Sequence, residues 1–246
     1  MTPRTRKLDL AVPSLFISIA GLALLPLLLI NPPPTIIVPW QTQLIGAGFG
    51  LICVLGIIAG VSPTHCSRPF RTRREKTKVP DSEQHAQAEL ELHKRGHHPT
   101  CQHYSGHIMV WGSRTFCAGC TGLVTGALIA LFGTILFFFF SWQFLDPIPI
   151  FWVGFLLVAF GLLQHMLYQF LGVNHGVVRF AMNILFVLGP LMLLASLVQI
   201  TNNLVLALYL LLLTLYWIFT RIVMSRRSHT IICASCANTD CLLREA

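Results

Sequence analysis

Charged residues are scarce in this chain, and their scarcity excludes most classes of soluble protein. They make up 11% of the 246 residues, whereas hydrophobic residues make up 54% and the mean hydropathy is +0.70. This composition is typical of membrane proteins and lies outside the range of soluble globular domains. Several enzyme signatures are missing as well: a His-Glu-x2-His motif, a phosphate-binding loop, a nucleophile elbow and paired acidic residues in the apolar runs. The sequence therefore favours an integral membrane protein with a non-enzymatic role.

Runs without charge predict six membrane-spanning helices. About 20 apolar residues are enough to cross the hydrocarbon core, so each long run must be divided. Pro32-Pro33-Pro34 divides the first run and Thr201-Asn202-Asn203 divides the last. The predicted spans are 10–30, 43–62, 119–141, 149–171, 179–199 and 204–224. The chain is thus predicted to be all-α, with two helices in 1–62, a basic, Cys/His-rich loop in 63–118, four helices in 119–224 and a Cys-rich tail in 225–246.

The basic residues predict how the helices are oriented. All 17 Lys and Arg residues lie in the N-terminus, the 63–118 loop, the 172–178 connection and the C-terminal tail, or at the helix ends beside them. By the positive-inside rule these segments, and both termini, are cytoplasmic in a multi-pass protein of the cell membrane. The basic run 68–78 is interpreted as a contact with anionic membrane lipid rather than with nucleic acid.

Seven of the eight cysteines fall in the polar segments, and six of them form two groups. The first group, His98-x2-Cys101-x15-Cys117-x2-Cys120, has the ligand spacing of a zinc ribbon. The second group is Cys233-x2-Cys236-x4-Cys241 in the tail. On the reducing side of the membrane, such pairs are more often metal ligands than disulfides. We therefore expect a metal-bound Cys/His cap on the cytoplasmic ends of the helices.

The assignment of ligands to ions stays open at this point. His103 or His107 could replace His98 as the fourth ligand of the first group, or belong to a second site. The tail supplies three thiols, and Cys66, just after the second span, would complete a four-thiolate site. Two sites are favoured over one shared cluster. The expected cofactor is zinc, as one or two ions, with iron as the alternative because clustered thiolates also hold iron.

Polar residues also lie within the predicted spans. His165 and Gln169 are four residues apart on the fourth span, and His175, Arg179 and Asn183 continue at the same interval into the fifth. A charge near a helix centre costs at least about 2.5 kcal/mol on insertion scales. These side chains could line a pocket for an anion or a proton beneath the cap. Interfacial snorkelling with hydrogen bonds between helices is the alternative interpretation.

One stretch of the chain resembles a known signature. The segment His98-Pro99-x-Cys101, followed by His107 and by Phe116-Cys117-Ala118-Gly119-Cys120-Thr121-Gly122, is similar to the motif of a family of small multi-spanning membrane proteins frequent in archaea. The resemblance implies that His98, Cys101, His107, Cys117 and Cys120 belong to one metal-binding unit. It implies no reaction.

Three classes of function are compatible with these features. The first is a zinc-stabilised scaffold or accessory subunit, which binds a protein partner in a membrane complex. The second is a metal-handling or small-solute transporter whose cap senses metal. The third is a redox protein whose thiolates hold iron or cycle as dithiols. The scaffold is favoured, because charged residues are too sparse within the spans to mark a substrate path.

Overall fold

The computed structural model describes residues 10–34, 38–61, 106–111, 114–171 and 175–235. Within them, six helices are long and apolar enough to cross a membrane, which confirms the predicted number of spans. The helices are α1 (Ala11–Ile30), α2 (Gln41–Val61), α3 (Ala118–Phe138), α4 (Pro147–Leu171), α5 (Gly176–Thr201) and α6 (Leu204–Ser235). Each one overlaps its predicted span, and α6 continues beyond the predicted end at 224 into the segment assigned to the tail.

The turn between α5 and α6 forms where the asparagine pair predicted it. Asn202 ends α5 in the left-handed region, at φ 45°, and its N–H donates to the carbonyl of Val198. Asparagine tolerates this conformation better than most residues with a side chain. The side-chain oxygen of Asn203 then accepts a hydrogen bond from the N–H of Leu206 at 3.0 Å, which caps α6. Local side-chain chemistry thus divides the long apolar run into two helices.

Helix α5 lies at the centre of the bundle. It packs along α3 on one side and α4 on the other, and it also contacts α6. Helix α2 packs on α3, and α1 packs mainly on α6. Leu193, Leu194 and Leu197 of α5 are almost completely buried. Helix α5 is therefore extensively enclosed by other helices, and its polar residues Asn183 and Ser196 are buried.

The outer faces of the bundle are apolar. Phe16 on α1, Phe132 on α3 and Leu212 on α6 are 73%, 63% and 68% exposed, and many other large apolar side chains are exposed on the same helices. A soluble protein rarely leaves so extensive an apolar surface uncovered. In lipid, helices also satisfy their own backbone hydrogen bonds. The fold is that of a multi-pass membrane protein.

One element was absent from the sequence-based predictions, a short antiparallel hairpin within the 63–118 loop. Strand β1 (Ile108–Trp111) pairs with β2 (Arg114–Cys117), in the register Ile108 opposite Cys117 and Trp111 opposite Arg114. The second strand leads directly into α3. The hairpin therefore marks one end of the bundle, which we call the hairpin end, where α3 and α5 begin and α4 and α6 terminate.

Candidate functional site

Three of the predicted metal ligands lie in or next to the hairpin and the first turn of α3. His107 directly precedes Ile108, and Ile108 is paired with Cys117 across the strands. Cys117 is the N-cap residue of α3, and Cys120 lies in the first turn of that helix. His107 is buried, and the two cysteines are partly buried. We call His107, Cys117 and Cys120 the hairpin corner.

The other predicted metal ligands lie mostly outside the part of the chain that the structure describes. These residues are Cys66, His98, Cys101, His103, Cys236 and Cys241, while Cys233 lies on α6 with a side chain that is not described. Among the described residues, no group of three or more His, Cys, Asp or Glu side chains is placed to hold a metal ion. Thiolate and imidazole are donors that zinc prefers, and a complete site needs four. The hairpin corner fits zinc in the type of its donors, and the metal-bound cap stays a prediction.

The hairpin packs directly on the start of α5. A β-carbon added at Gly176 would lie 2.4 Å from the carbonyl oxygen of Ile108 and 3.2 Å from Cγ of Met109. Such distances are too short for any residue but glycine, so this position allows strand β1 to touch the helix backbone. The hairpin corner is thereby held next to the first turn of α5, which carries Arg179.

A polar group occupies the interior of the bundle just below the hairpin corner. It is formed by side chains from three helices, and we call it the arginine cluster: Tyr168 of α4, Arg179 and Asn183 of α5, and Arg221 of α6, with the buried Gln164 one turn before Tyr168 on α4. The two residues on α4 are four apart, as are the two on α5, so each pair lies on one face of its helix. Helix α6 contributes one residue. The cluster is thus a product of how α4, α5 and α6 pack.

Arg221 connects α6 to both neighbouring helices. Its Nη1 donates to the backbone carbonyl of Gly161 on α4, and its Nη2 donates to Oδ1 of Asn183 at 2.5 Å. The guanidinium carbon also lies 4.6 Å from the centroid of the Phe186 ring. Carbonyl oxygens and an aromatic face stabilise a guanidinium group, but none of them carries a full negative charge.

Arg179 lies nearer to the hairpin. Its guanidinium carbon is 4.5 Å from the centroid of the Tyr168 ring, and its Nε is buried with no hydrogen-bond partner. Tyr168 is within electrostatic reach of both Arg179 and Arg221, and Cys117 is within reach of Arg179. Tyr168 is therefore close to both positive charges.

Asn183 connects the two arginines. Its Nδ2 donates to the backbone carbonyl of Arg179 at 2.6 Å while its Oδ1 accepts from Arg221. A β-carbon added at Gly119 would be 4.0 Å from both Asn183 Nδ2 and Cys117 Sγ, so the amide lies close to the hairpin corner. The amide that contacts Arg221 therefore lies next to the start of α3.

Two further polar atoms of the arginine cluster are buried without a partner. The hydroxyl of Tyr168 and Oε1 of Gln164 make no hydrogen bond, and Gln164 is only 3% exposed. Leaving such an atom unsatisfied costs about 1–3 kcal/mol. The sole carboxylate in the described part of the chain, Asp146, lies at the opposite end of the bundle between α3 and α4. The cluster thus combines two positive charges with unused hydrogen-bonding capacity.

The structure brings together part of the polar set predicted from the sequence. Arg179 and Asn183 lie in the arginine cluster. His175 is exposed just before α5, and its carbonyl accepts from the N–H of Arg179. His165 and Gln169 lie on α4, and their side chains are not among those described.

Sequence reasoning missed Gln164, Tyr168 and Arg221. Arg221 was placed at a helix end, because it closes the long charge-free run. Residues 222–224 after it are apolar, and the basic pair follows only at 226–227. This pattern could have indicated that Arg221 lies inside the bundle and not at the helix end. Gln164 and Tyr168 had a signal too, since they follow Gly161 at helical spacing.

The site must be judged from its own chemistry. The likeness of residues 98–122 to a family of small multi-spanning membrane proteins stays a prediction, as does the single metal-binding unit that it implies. Comparisons of the chain with protein-family models, with curated proteins and with solved structures give no match.

Proposed function

We propose that the chain is a zinc-stabilised multi-pass membrane protein that acts as a scaffold or accessory subunit of a membrane complex. The observation that supports this most is the position of Cys117 and Cys120 at the junction of β2 and α3, with His107 just before the neighbouring strand. Cys117 and Cys120 belong to a segment that continues into the hairpin in one direction and into α3 of the bundle in the other. Metal bound there would hold the first turns of α3 and α5 together.

The energetic argument concerns the loop and the tail. Their sequences carry too little apolar surface to fold by burial alone, whereas structural zinc contributes about 10–16 kcal/mol of apparent folding free energy in small peptides. In this proposal, Cys117 and Cys120 hold one ion together with Cys101 and one of the histidines 98, 103 and 107. The tail thiols and Cys66 hold a second ion. The resulting cap is the surface offered to a protein partner.

The test is metal content measured on the purified, full-length protein. We expect one or two zinc ions per chain, a colourless preparation, and loss of at least one ion in Cys117→Ala/Cys120→Ala. Cys53→Ala is the matched control, because Cys53 is a buried thiol in α2, far from the hairpin. Zinc content equal to wild type in the double variant would contradict the proposal. The scaffold role further requires that a defined partner co-purifies with wild type and is lost from the double variant.

The two alternative functions give different results in the same preparation. A protein that holds iron would be coloured when purified anaerobically, and its spectrum would change on reduction. A transporter would lose flux in Arg179→Gln while keeping its zinc. One observation favours a ligand in the interior over a purely structural role, namely the unpartnered polar atoms around Arg179.

A further inference from the structure

The arginine cluster is unbalanced in charge. Arginine stays protonated inside proteins, so Arg179 and Arg221 each bring a positive charge into the helix bundle. In the described residues, their neighbours are a phenol ring, a phenylalanine ring, one side-chain amide, one backbone carbonyl and, within electrostatic reach of Arg179, the thiol of Cys117. Charged side chains at membrane depth normally pair with one another or line a route for ligands or ions. A negative partner is therefore expected here.

The two arginines differ in how far their hydrogen-bond donors are used. Arg221 has acceptors at Gly161 and Asn183, and these fix the direction of its guanidinium group. Arg179 has no acceptor among the described residues, although its Nε is buried. An arginine that stacks on a ring while its donors stay unused is arranged to receive a planar or tetrahedral oxyanion.

The surrounding polar atoms supply the rest of a binding site. The hydroxyl of Tyr168 is buried, makes no hydrogen bond and can donate one. The Gln164 side chain is 3% exposed and lies one helical turn before Tyr168 on the same face of α4. Oε1 of Gln164 makes no hydrogen bond. If the side-chain amide is rotated by about 180°, its NH2 group occupies the same position and can donate. Tyr168 and Arg179, which stack on each other, therefore bring donors of α4 and α5 close together.

We propose that the arginine cluster binds a phosphate group, held by Arg179 and Tyr168 and balanced in charge by Arg221. Two guanidinium charges match the charge of about −1.5 to −2 on a phosphate better than that of a single carboxylate. This inference does not rest on the metal-bound cap, since none of the residues that carry it is a metal ligand.

The depth of the cluster limits where the phosphate comes from. Arg179 lies three residues after the start of α5 and Asn183 seven, which places them about 5 Å and 10 Å from the helix end. The cluster thus lies within about two helical turns of the end of an apolar helix, close to where a lipid headgroup region is expected. A free phosphate compound can supply nearly two negative charges, whereas an anionic phospholipid presents a phosphodiester with one, and the two sources are distinguished by experiment.

The probes are inorganic phosphate and phosphatidylglycerol, tested on the full-length protein. In the first arm, thermal unfolding is followed in phosphatidylcholine nanodiscs during a phosphate titration, with sodium chloride at matched ionic strength as the reference. At a concentration of about 100 times Kd, linkage predicts an increase in Tm of about 5–10 °C for a chain of this size. In the second arm, phosphatidylglycerol replaces part of the phosphatidylcholine, and no phosphate is added.

Two variants and one control define the outcome. Arg179→Gln is expected to weaken the response at least tenfold, because it removes charge-assisted hydrogen bonds. Tyr168→Phe is expected to weaken it about threefold with the ring retained, and it serves as the probe if Arg179→Gln does not fold. Arg227→Gln removes the same charge from a partly exposed position on α6 and is expected to respond like wild type.

Each outcome decides the proposal. A saturable response to phosphate that depends on Arg179 supports binding of a free phosphate compound. A response to phosphatidylglycerol alone, with the same dependence, identifies a lipid headgroup. If phosphate acts no differently from chloride and phosphatidylglycerol has no effect, the positive charges are balanced within the chain and the proposal is wrong. It is also wrong if Arg227→Gln loses as much of the response as Arg179→Gln.

Discussion

Replacement of Gly122 by alanine is expected to force α3 and α5 apart at the hairpin end. A β-carbon at this position would lie 2.5 Å from the carbonyl oxygen of Phe180 and 3.0 Å from Cβ of Asn183. Favourable contacts between such atoms need about 3.5 Å, so α5 would have to move by roughly 1 Å. The obstructing oxygen belongs to a helix backbone, and no side-chain rotation can relieve the clash. The displacement would also move the amide that orients Arg221.

Gly56→Ala is the matched control, because a β-carbon on Gly56 of α2 would meet no atom within 4 Å. Both substitutions gain up to about 1 kcal/mol of helix propensity. Only Gly122→Ala adds an overpacking cost of about 1–3 kcal/mol, and its rigid neighbour favours the upper part of that range. The net loss of about 1–2 kcal/mol corresponds to a Tm about 2–8 °C below wild type, whereas Gly56→Ala should be neutral or up to about 4 °C more stable.

The assay is thermal unfolding of both variants and wild type in one detergent, with secondary structure followed by circular dichroism. The two substitutions are chemically identical, so the environment of each glycine accounts for any difference in sign. If Gly122→Ala were as stable as Gly56→Ala, the close approach of α3 to α5 would be wrong. The position assigned to the arginine cluster beside it would then lose its support.

Three further predictions concern other parts of the fold. Asn183→Asp places a carboxylate beside Arg221, and we expect it to raise Tm in phosphate-free buffer and to remove the response to phosphate; a retained response would refute the assigned site. Gly176→Ala should push β1 away from α5, so that maleimide labels Cys117 and Cys120 at least several-fold faster than in wild type, as measured by mass spectrometry. Gln199→Ala removes the two hydrogen bonds to Phe144, of 3.1 and 2.7 Å, and should lower the unfolding free energy by about 1–3 kcal/mol. Because those bonds lie at the opposite end of the bundle, the response to phosphate should stay at the wild-type level.

The positions of the helices were predictable because they depend on the order of apolar and polar residues along the chain. A long run of apolar residues that contains no charge is expected to cross the membrane, and its length and its turn residues indicate where most of the helices begin and end. The asparagine pair at 202 and 203 illustrates this, since the first residue closes α5 and the second caps α6. The hairpin was missed, because strands of four residues give no periodic signal long enough to interpret.

The interior site was predictable only in part. Arg179 and Asn183 are four residues apart on one helix, so their shared face follows from helical periodicity. Arg221 reaches this face from another helix, 38 residues beyond Asn183. A contact over that separation cannot be predicted from local sequence periodicity. Tyr168 and Gln164 likewise join the site because Gly161 allows α4 to pack closely against Phe186 of α5. Contacts between helices depend on packing, which is a three-dimensional property.

The sequence by itself determined that this chain has six membrane helices, roughly where they lie along the chain, and which residues can serve as metal ligands, because burial in lipid and ligand chemistry depend on residue type and local spacing. Only the tertiary structure decided that α5 is central, that the hairpin packs against Gly176, and that Arg179 and Arg221 share one polar group. The physical reason is that glycines allow particular helix pairs to approach, and their approach determines which distant side chains meet.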